Sequence, residues 1–254
     1  MNDEYNIKAV VLAAGIGTRL QPLTYAIPKE MIHVCGKPLV QHAIELLRHA
    51  TKNIIVIVGE KKGALMDFLK DGRWLDVDIS YRFQEERTGN AAALYTAKPL
   101  IDGTFFAMYG DEIIEPKDSV AREMISLHRT SKAACTVGVS TVDDPKRYGV
   151  VKFSDDRINE MMEKPQTPQD LERLEVNGKH YGSNGLFVFE PVVFEYIEKL
   201  RPGRNEELWI ADAVRNMILD GKKCVAHVHE GIYRDVGTFE ALLEVERELL
   251  NRMI

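Results

Sequence analysis

The stretch Ile7-Lys8-Ala9-Val10-Val11-Leu12-Ala13-Ala14-Gly15-Ile16-Gly17-Thr18-Arg19-Leu20 decides the architecture. Apart from Lys8, its first half is continuously apolar, the pattern of a parallel β-strand covered on both faces rather than of an alternating strand with one wet face. Its second half carries two glycines and turns polar. Glycine lets a backbone bend sharply and approach a ligand, and the amides that follow, with Arg19, supply donors for phosphate oxygens. Ala13, Ala14, Gly15, Gly17 and Thr18 are therefore candidate phosphate contacts. A plain strand-to-helix turn is the structural alternative. A dinucleotide fingerprint needs a third glycine where Leu20 stands, and a P-loop needs Gly-Lys-Ser/Thr, which is absent.

Outward from this strand, β-branched and apolar runs recur at Ile54 to Val58, Ile79 to Phe83, Thr104 to Tyr109 and Cys135 to Ser140. Amphipathic stretches lie between them, such as Pro38 to His49, with Leu39, Ala43, Leu46 and Leu47 on one side and Pro38 at a favoured first-turn position. Strands alternating with helices imply βαβ units and a mostly parallel sheet. After about residue 140 the runs shorten to Tyr148 to Phe153 and Gly185 to Phe189, separated by a polar loop, Pro165 to Gly178, and these read as strands of a smaller lobe. Leu242, Leu243, Val245, Leu249 and Leu250 recur at near-helical spacing and predict a closing helix over Phe239 to Met253. The expected fold is α/β: a Rossmann-like, mixed but mostly parallel sheet flanked by helices, with a smaller β-rich lobe. One domain over 1–254 is expected, in parts of about 1–140, about 141–238 and 239–254.

The chain has 254 residues, 45% hydrophobic and 28% charged, enough for a sizeable core. Cys35, Cys135 and Cys224 are few, odd in number and far apart, which fits neither a disulfide framework nor a zinc cluster and points to a reducing cytoplasm. No run is apolar for about 18 positions, and Met1 to Lys8 lacks the basic start and apolar centre of a signal peptide. A net charge of -6 gives no bulk attraction to nucleic acid or to an acidic membrane. An anionic substrate must be held by local cations and backbone amides.

Ten residues beyond Arg19 comes Pro28-Lys29-Glu30-Met31, followed by Gly36-Lys37-Pro38-Leu39. Gly-x-Gly-Thr-Arg, Pro-Lys and Lys-Pro-Leu in this order resemble the sugar-1-phosphate nucleotidylyltransferase family, most closely its glucose-1-phosphate uridylyl- and thymidylyltransferases. The likeness runs along almost the whole chain. Gln84 and Thr88-Gly89-Asn90-Ala91 match the region that reads the base in this family, and Gly110-Asp111 matches its metal-binding strand end. Tyr148-Gly149-Val150, Glu163-Lys164-Pro165 and Asn184-Gly185 resemble its sugar pocket, and Asp235-Val236-Gly237-Thr238 its second metal-binding aspartate segment.

The resemblance implies a nucleoside triphosphate (dTTP or UTP) and a sugar 1-phosphate (glucose 1-phosphate) as substrates, Mg2+ or Mn2+ as cofactor, and a chain that can form homo-oligomers. It makes about 1–140 the nucleotide-binding part and about 141–238 the sugar-binding part. Arg19 would grip the β- and γ-phosphates and Lys29 would bridge the reacting phosphates. Gln84, Gly89 and the glycine loop would hold the nucleotide, with Asp111 and Asp235 on the metal. Gly149, Glu163, Lys164 and Asn184 would hold the sugar phosphate. Chemically the set coheres: attack on the α-phosphorus concentrates negative charge that cations must neutralise while attacking and leaving oxygens stay in line, and magnesium needs few protein carboxylates because it keeps waters.

Each residue also has a plainer reading. Asp235 suits a turn before Gly237, and Glu163-Lys164 a solvated turn before Pro165. Phe187, Phe189 and Phe194 read as core, and His33 as a local substitution for the family's proline. Tyr233, Arg234 and Glu112 also depart from the family's habits around the metal aspartates. A guanylyltransferase or cytidylyltransferase of the same family, and a catalytically silent relative, are the alternatives; the silent relative predicts damage at Arg19, Lys29, Asp111 or Asp235, and all four are present. Only the closing helix follows Asp235, so no β-helical acyltransferase extension is expected.

Overall fold

The computed structural model describes residues 7–203 and 206–253 of the chain. Residues 1–6, on which part of the reading of the amino terminus rests, and residue 254, the last of the expected closing segment, lie outside the described residues. The strands, in chain order, are β1 (Lys8–Ala13), β2 (His33–Val34), β3 (Lys37–Pro38), β4 (Asn53–Val58), β5 (Asp78–Phe83), β6 (Phe105–Tyr109), β7 (Glu112–Glu115), β8 (Cys135–Thr141), β9 (Gly149–Ser154), β10 (Arg157–Glu163), β11 (Tyr181–Phe189), β12 (Cys224–Val228) and β13 (Ile232–Asp235).

Nine of these strands make one sheet in the order β5-β4-β1-β6-β11-β8-β12-β10-β9. Its first four strands are parallel. Strand β11 then runs antiparallel to both neighbours, and β12 returns parallel to β8. The sheet is mixed and flanked by helices, as the sequence implies. The β9-β10 hairpin is not detached from it: Arg157 pairs with Val225 of β12, and Gly182 of β11 pairs with Val150 of β9.

Strand β1 shows why its sequence is apolar without interruption. Alternate residues of a strand face opposite ways. Ala9, Val11 and Ala13 enter a core with Val40, Ala43, Ile44 and Leu47 of the helix Leu39–Leu47. Val10, Leu12 and Ala14 enter a second core with Ala91 and Leu94 of the helix Asn90–Tyr95 and Phe194 of the helix Val193–Glu198. Phe187 and Phe189 are buried in that second core, as their stripe predicts. A fully buried Leu, Ile or Val is worth about 1.5–3 kcal/mol over an exposed one, so a polar residue on either face of β1 would cost a comparable amount.

Two expectations are corrected. The polar loop Pro165 to Gly178 contains a helix, Pro168–Leu174. The Thr167 side chain accepts from the Asp170 amide and Pro168 occupies the first turn, so a cap and a preset φ carry a helix that has little apolar face. The closing helix Phe239–Met253 forms as expected, but Leu243 and Leu250 are 67% and 46% exposed. Only Leu242, Val245 and Leu249 of the five face inward, where they join a third core with Leu20, Ile32, Val34, Leu39 and Val236. That core anchors the chain that follows the glycine loop, from Leu20 to Leu39, against the closing helix. Among the described residues no helix is long and apolar enough to cross a membrane.

Candidate active site

In a parallel sheet the crevice at the carboxyl ends of the strands is where ligands bind. Here that crevice opens at the end of β1, between β4 and β6. The Gly110 amide donates to the Leu12 carbonyl at 2.9 Å, and a Cβ on Gly59 would stand 3.0 Å from the Ala14 carbonyl oxygen, so the neighbouring strand ends press against the base of the loop. Gly17 has φ +75, and a Cβ there would meet the Lys29 Cβ at 2.8 Å; both the left-handed backbone and the contact require glycine. Thr24 Oγ1 donates to the Gly17 carbonyl at 2.9 Å. Among the described residues the amides of Ile16, Gly17 and Thr18 have no protein acceptor, and Gly15, Thr18 and Arg19 are exposed. A curl of unpaired backbone donors is an anion-binding concavity.

Lys29 and Asp111, 82 residues apart in sequence, form an ion pair through Nζ and Oδ2. Burial alone would depress the Lys29 ammonium, but the carboxylates of Asp111 and Glu30 outweigh it and hold the pKa above its ordinary value. The ribbon β7–β13 supplies the second acid by pairing Asp235 with Glu112, and the Val236 amide donates to the Asp111 carbonyl at 3.2 Å. Burial and then the Asp111 charge push the Asp235 carboxyl up, opposed by Arg19 and Lys29. Arg19 Nη2 lies 3.7 Å from Asp235 Oδ2, an ion pair at longer range on a side chain 59% exposed. Gly237 allows that approach, since a Cβ would sit 2.4 Å from Arg19 Nη2. Glu112 is a further buried acid, pushed well up by burial and by Asp235 and Asp111, with one carboxyl oxygen unpartnered.

The structure also gathers the base-reading candidates. Gln84 is buried, and its amide nitrogen donates to the Gly89 carbonyl at 3.3 Å, which leaves its carbonyl oxygen available. Gly89 has φ +108, and a Cβ would stand 2.3 Å from the Leu208 carbonyl oxygen. Leu208 donates its amide to Thr88 and accepts from Ala91, while Asn90 accepts from the Ile210 amide at 2.8 Å. Sequence reading gave Leu208 no role, because the partnership spans more than a hundred residues.

Gly149 and Glu163 face each other across the β9-β10 hairpin, and a Cβ on Gly149 would meet Glu163 Oε2 at 3.1 Å. Burial raises the Glu163 pKa, opposed by Lys164, whose Nζ is 3.3 Å away. The Lys164 ammonium also stands 4.0 Å over the Trp209 ring, a cation–π contact that the sequence did not suggest. Trp209 is adjacent to Leu208, so the candidate sugar-phosphate lysine and the base-reading segment lean on one short stretch of chain. Asn184 stands apart from this pair: it is 1% exposed, its amide lies 3.5 Å from Ser140 Oγ, and its oxygen accepts from Leu186.

Two other residues escaped the sequence reading. Lys62 Nζ donates to Glu30 Oε2 at 2.5 Å and to the Gly15 carbonyl at 2.6 Å, below the glycine loop. Glu30 was visible only as a neighbour of Lys29, and Lys62 lay in a charged run without a motif.

A sequence model of the nucleotidyl transferase family matches residues 8–252. The chain is 32% identical to UTP--glucose-1-phosphate uridylyltransferase AglF of Haloferax volcanii over 247 residues, covering 96% of both. It is 32% identical over 247 residues to bifunctional protein GlmU of Methanococcus maripaludis, covering 97% of this chain and 55% of GlmU. The chain thus spans about half the length of some of the relatives it matches. The structure of a UDP-glucose pyrophosphorylase in complex with UDP-glucose superposes with a TM-score of 0.82 at 26% identity, covering 97% of this chain and 99% of the other.

Proposed function

The chain belongs to the nucleotidyl transferase family, and from this premise we propose that it transfers a nucleotidyl group from UTP or dTTP to a sugar 1-phosphate, glucose 1-phosphate foremost, and releases pyrophosphate. The observation that carries the reading is the convergence of Lys29, Arg19, Asp111 and Asp235 beside a loop with unpaired amides. A uridylyltransferase relative of the same length and a superposable UDP-glucose pyrophosphorylase support the uracil and glucose assignments.

In this mechanism the loop amides and Arg19 bind the β- and γ-phosphates, and Lys29 holds the α-phosphate where the sugar phosphate attacks in line. Lys164, steadied by Glu163 and Trp209, positions that incoming phosphate. No covalent enzyme intermediate is needed, because positioning and charge neutralisation supply the catalysis. Asp111 and Asp235 would hold a magnesium ion. They fit one: two neighbouring carboxylates, that of Asp235 pushed up by burial and then by the Asp111 charge, are an arrangement that a cation relieves. A magnesium ion held there by Asp111 and Asp235 would supply electrostatic stabilisation of the transferring phosphate, since this ion needs few protein ligands.

The direct experiment is a pyrophosphate-release assay, resolved by residue substitution. Gln84→Ala is expected to raise the triphosphate KM and blur discrimination among bases while leaving the sugar 1-phosphate KM nearly unchanged. A variant with unaltered base preference would remove Gln84 from base reading. Lys164→Ala is expected to raise the sugar 1-phosphate KM more than the triphosphate KM, read from a two-substrate kinetic matrix. Weakened triphosphate binding alone would contradict the placement of the sugar phosphate at the β9-β10 hairpin.

A further inference from the structure

Lys62 lies in Glu60-Lys61-Lys62-Gly63, a run that reads as a wet, charged turn, yet its side chain is 3% exposed and that of Glu30 is fully buried. Taking two such ions out of water costs several kcal/mol each, and apolar replacements of similar volume are often no less stable. Burial lowers the Lys62 pKa and raises that of Glu30, each opposed by the other's charge. Stability is therefore a poor account of the pair. What distinguishes it is its third member, the Gly15 carbonyl in the phosphate loop.

A peptide unit is planar and trans, so its C=O and N–H point to opposite sides. With the Gly15 carbonyl held on buried Lys62, the Ile16 N–H of the same peptide is turned the other way, and among the described residues it has no acceptor. Gly15 also packs on Lys29, since a Cβ there would meet the Lys29 Cε at 3.2 Å, so rotating this peptide would disturb the lysine as well. We propose that Lys62, itself held by Glu30, is a positioning residue that fixes the Gly15–Ile16 peptide so that the Ile16 N–H binds an oxygen of the triphosphate chain. Neither side chain touches the substrate; their effect reaches it through one backbone amide.

The inference rests on assigning the glycine loop to the triphosphate, and the test separates the two. Tripolyphosphate with magnesium is titrated calorimetrically into the wild-type protein, Lys62→Met and the double variant Lys62→Met/Glu30→Met, with folding checked by circular dichroism. The expected result is native folding, about tenfold weaker tripolyphosphate binding in both variants, equivalent to about 1.4 kcal/mol, and an unchanged sugar 1-phosphate KM. A merely structural pair would move melting temperature without this selectivity. Ile16→Pro removes the proposed donor from an exposed loop and should lose the same affinity, whereas Ile16→Ala keeps the N–H and should bind like wild type. This comparison tests the amide donor on its own; where Lys62→Met does not fold, Lys62→Gln, with a side chain too short to hold the Gly15 carbonyl in the same place, is the second variant and should show the same weakening. Wild-type affinity in Lys62→Met or Ile16→Pro would overturn the proposal, and failure of the wild-type protein to bind tripolyphosphate would overturn the loop assignment itself.

Discussion

Asp111→Asn is expected to lower turnover by at least about a hundredfold, or roughly 2.7 kcal/mol of transition-state stabilisation, with the fold retained. The substitution preserves shape and removes an anionic ligand from the proposed metal site. It also removes the partner of Lys29 and the charge that helps to raise Asp235. Loss of the anionic ligand lowers metal affinity, and the easier ionisation of Asp235 once the Asp111 charge is gone offsets only part of that loss. The measurement is kcat across a magnesium titration, with circular dichroism to confirm folding. Near-normal turnover of a folded Asp111→Asn protein at ordinary magnesium would take Asp111 out of the metal site.

Lys29→Ala is expected to produce the second large loss, concentrated in kcat. Its ammonium is kept charged by Asp111 and Glu30 against the effect of burial, so the protein holds a fixed cation beside the phosphate loop before any substrate arrives. A preorganised charge acts most strongly on charge that grows in the transition state, and removing such a group costs about 2.7–4 kcal/mol, or about a hundred- to a thousandfold in kcat. Lys164 has a different setting, partly exposed and resting on Trp209, and its loss should appear chiefly in the sugar 1-phosphate KM. A Lys29→Ala protein with normal kcat and a raised KM for either substrate would show that Lys29 only binds.

The strands and the glycine loop are legible because both depend on local rules. A strand buried on both faces must be apolar at every position, and a loop whose backbone takes φ +75 against Lys29 must have glycine at 17. The helix Pro168–Leu174 was passed over because its signals are a cap and a proline rather than an apolar stripe. Leu243 and Leu250 misled for a related reason: adjacent residues of a helix stand 100° apart, and this helix buries only the narrow stripe that carries Leu242, Val245 and Leu249. Asp111 and Asp235 were named from a family likeness, and no spacing could have joined them, since their proximity comes from the pairing of β7 with β13. Lys62 and Leu208 act only through contacts with distant backbone, to Gly15 in one case and to Thr88 and Ala91 in the other. Their side-chain types say nothing of it.

If the cations and acids around the glycine loop join a nucleoside triphosphate to a sugar 1-phosphate, pyrophosphate must leave with every turnover. The measurement that tests it most directly is pyrophosphate release by the purified protein with magnesium, across UTP, dTTP, CTP, GTP and ATP, each with a panel of sugar 1-phosphates and a control without sugar. The expected release requires both substrates and magnesium and is fastest with UTP or dTTP and glucose 1-phosphate. Absence of release from every pair, or release that does not depend on the sugar 1-phosphate, would contradict it.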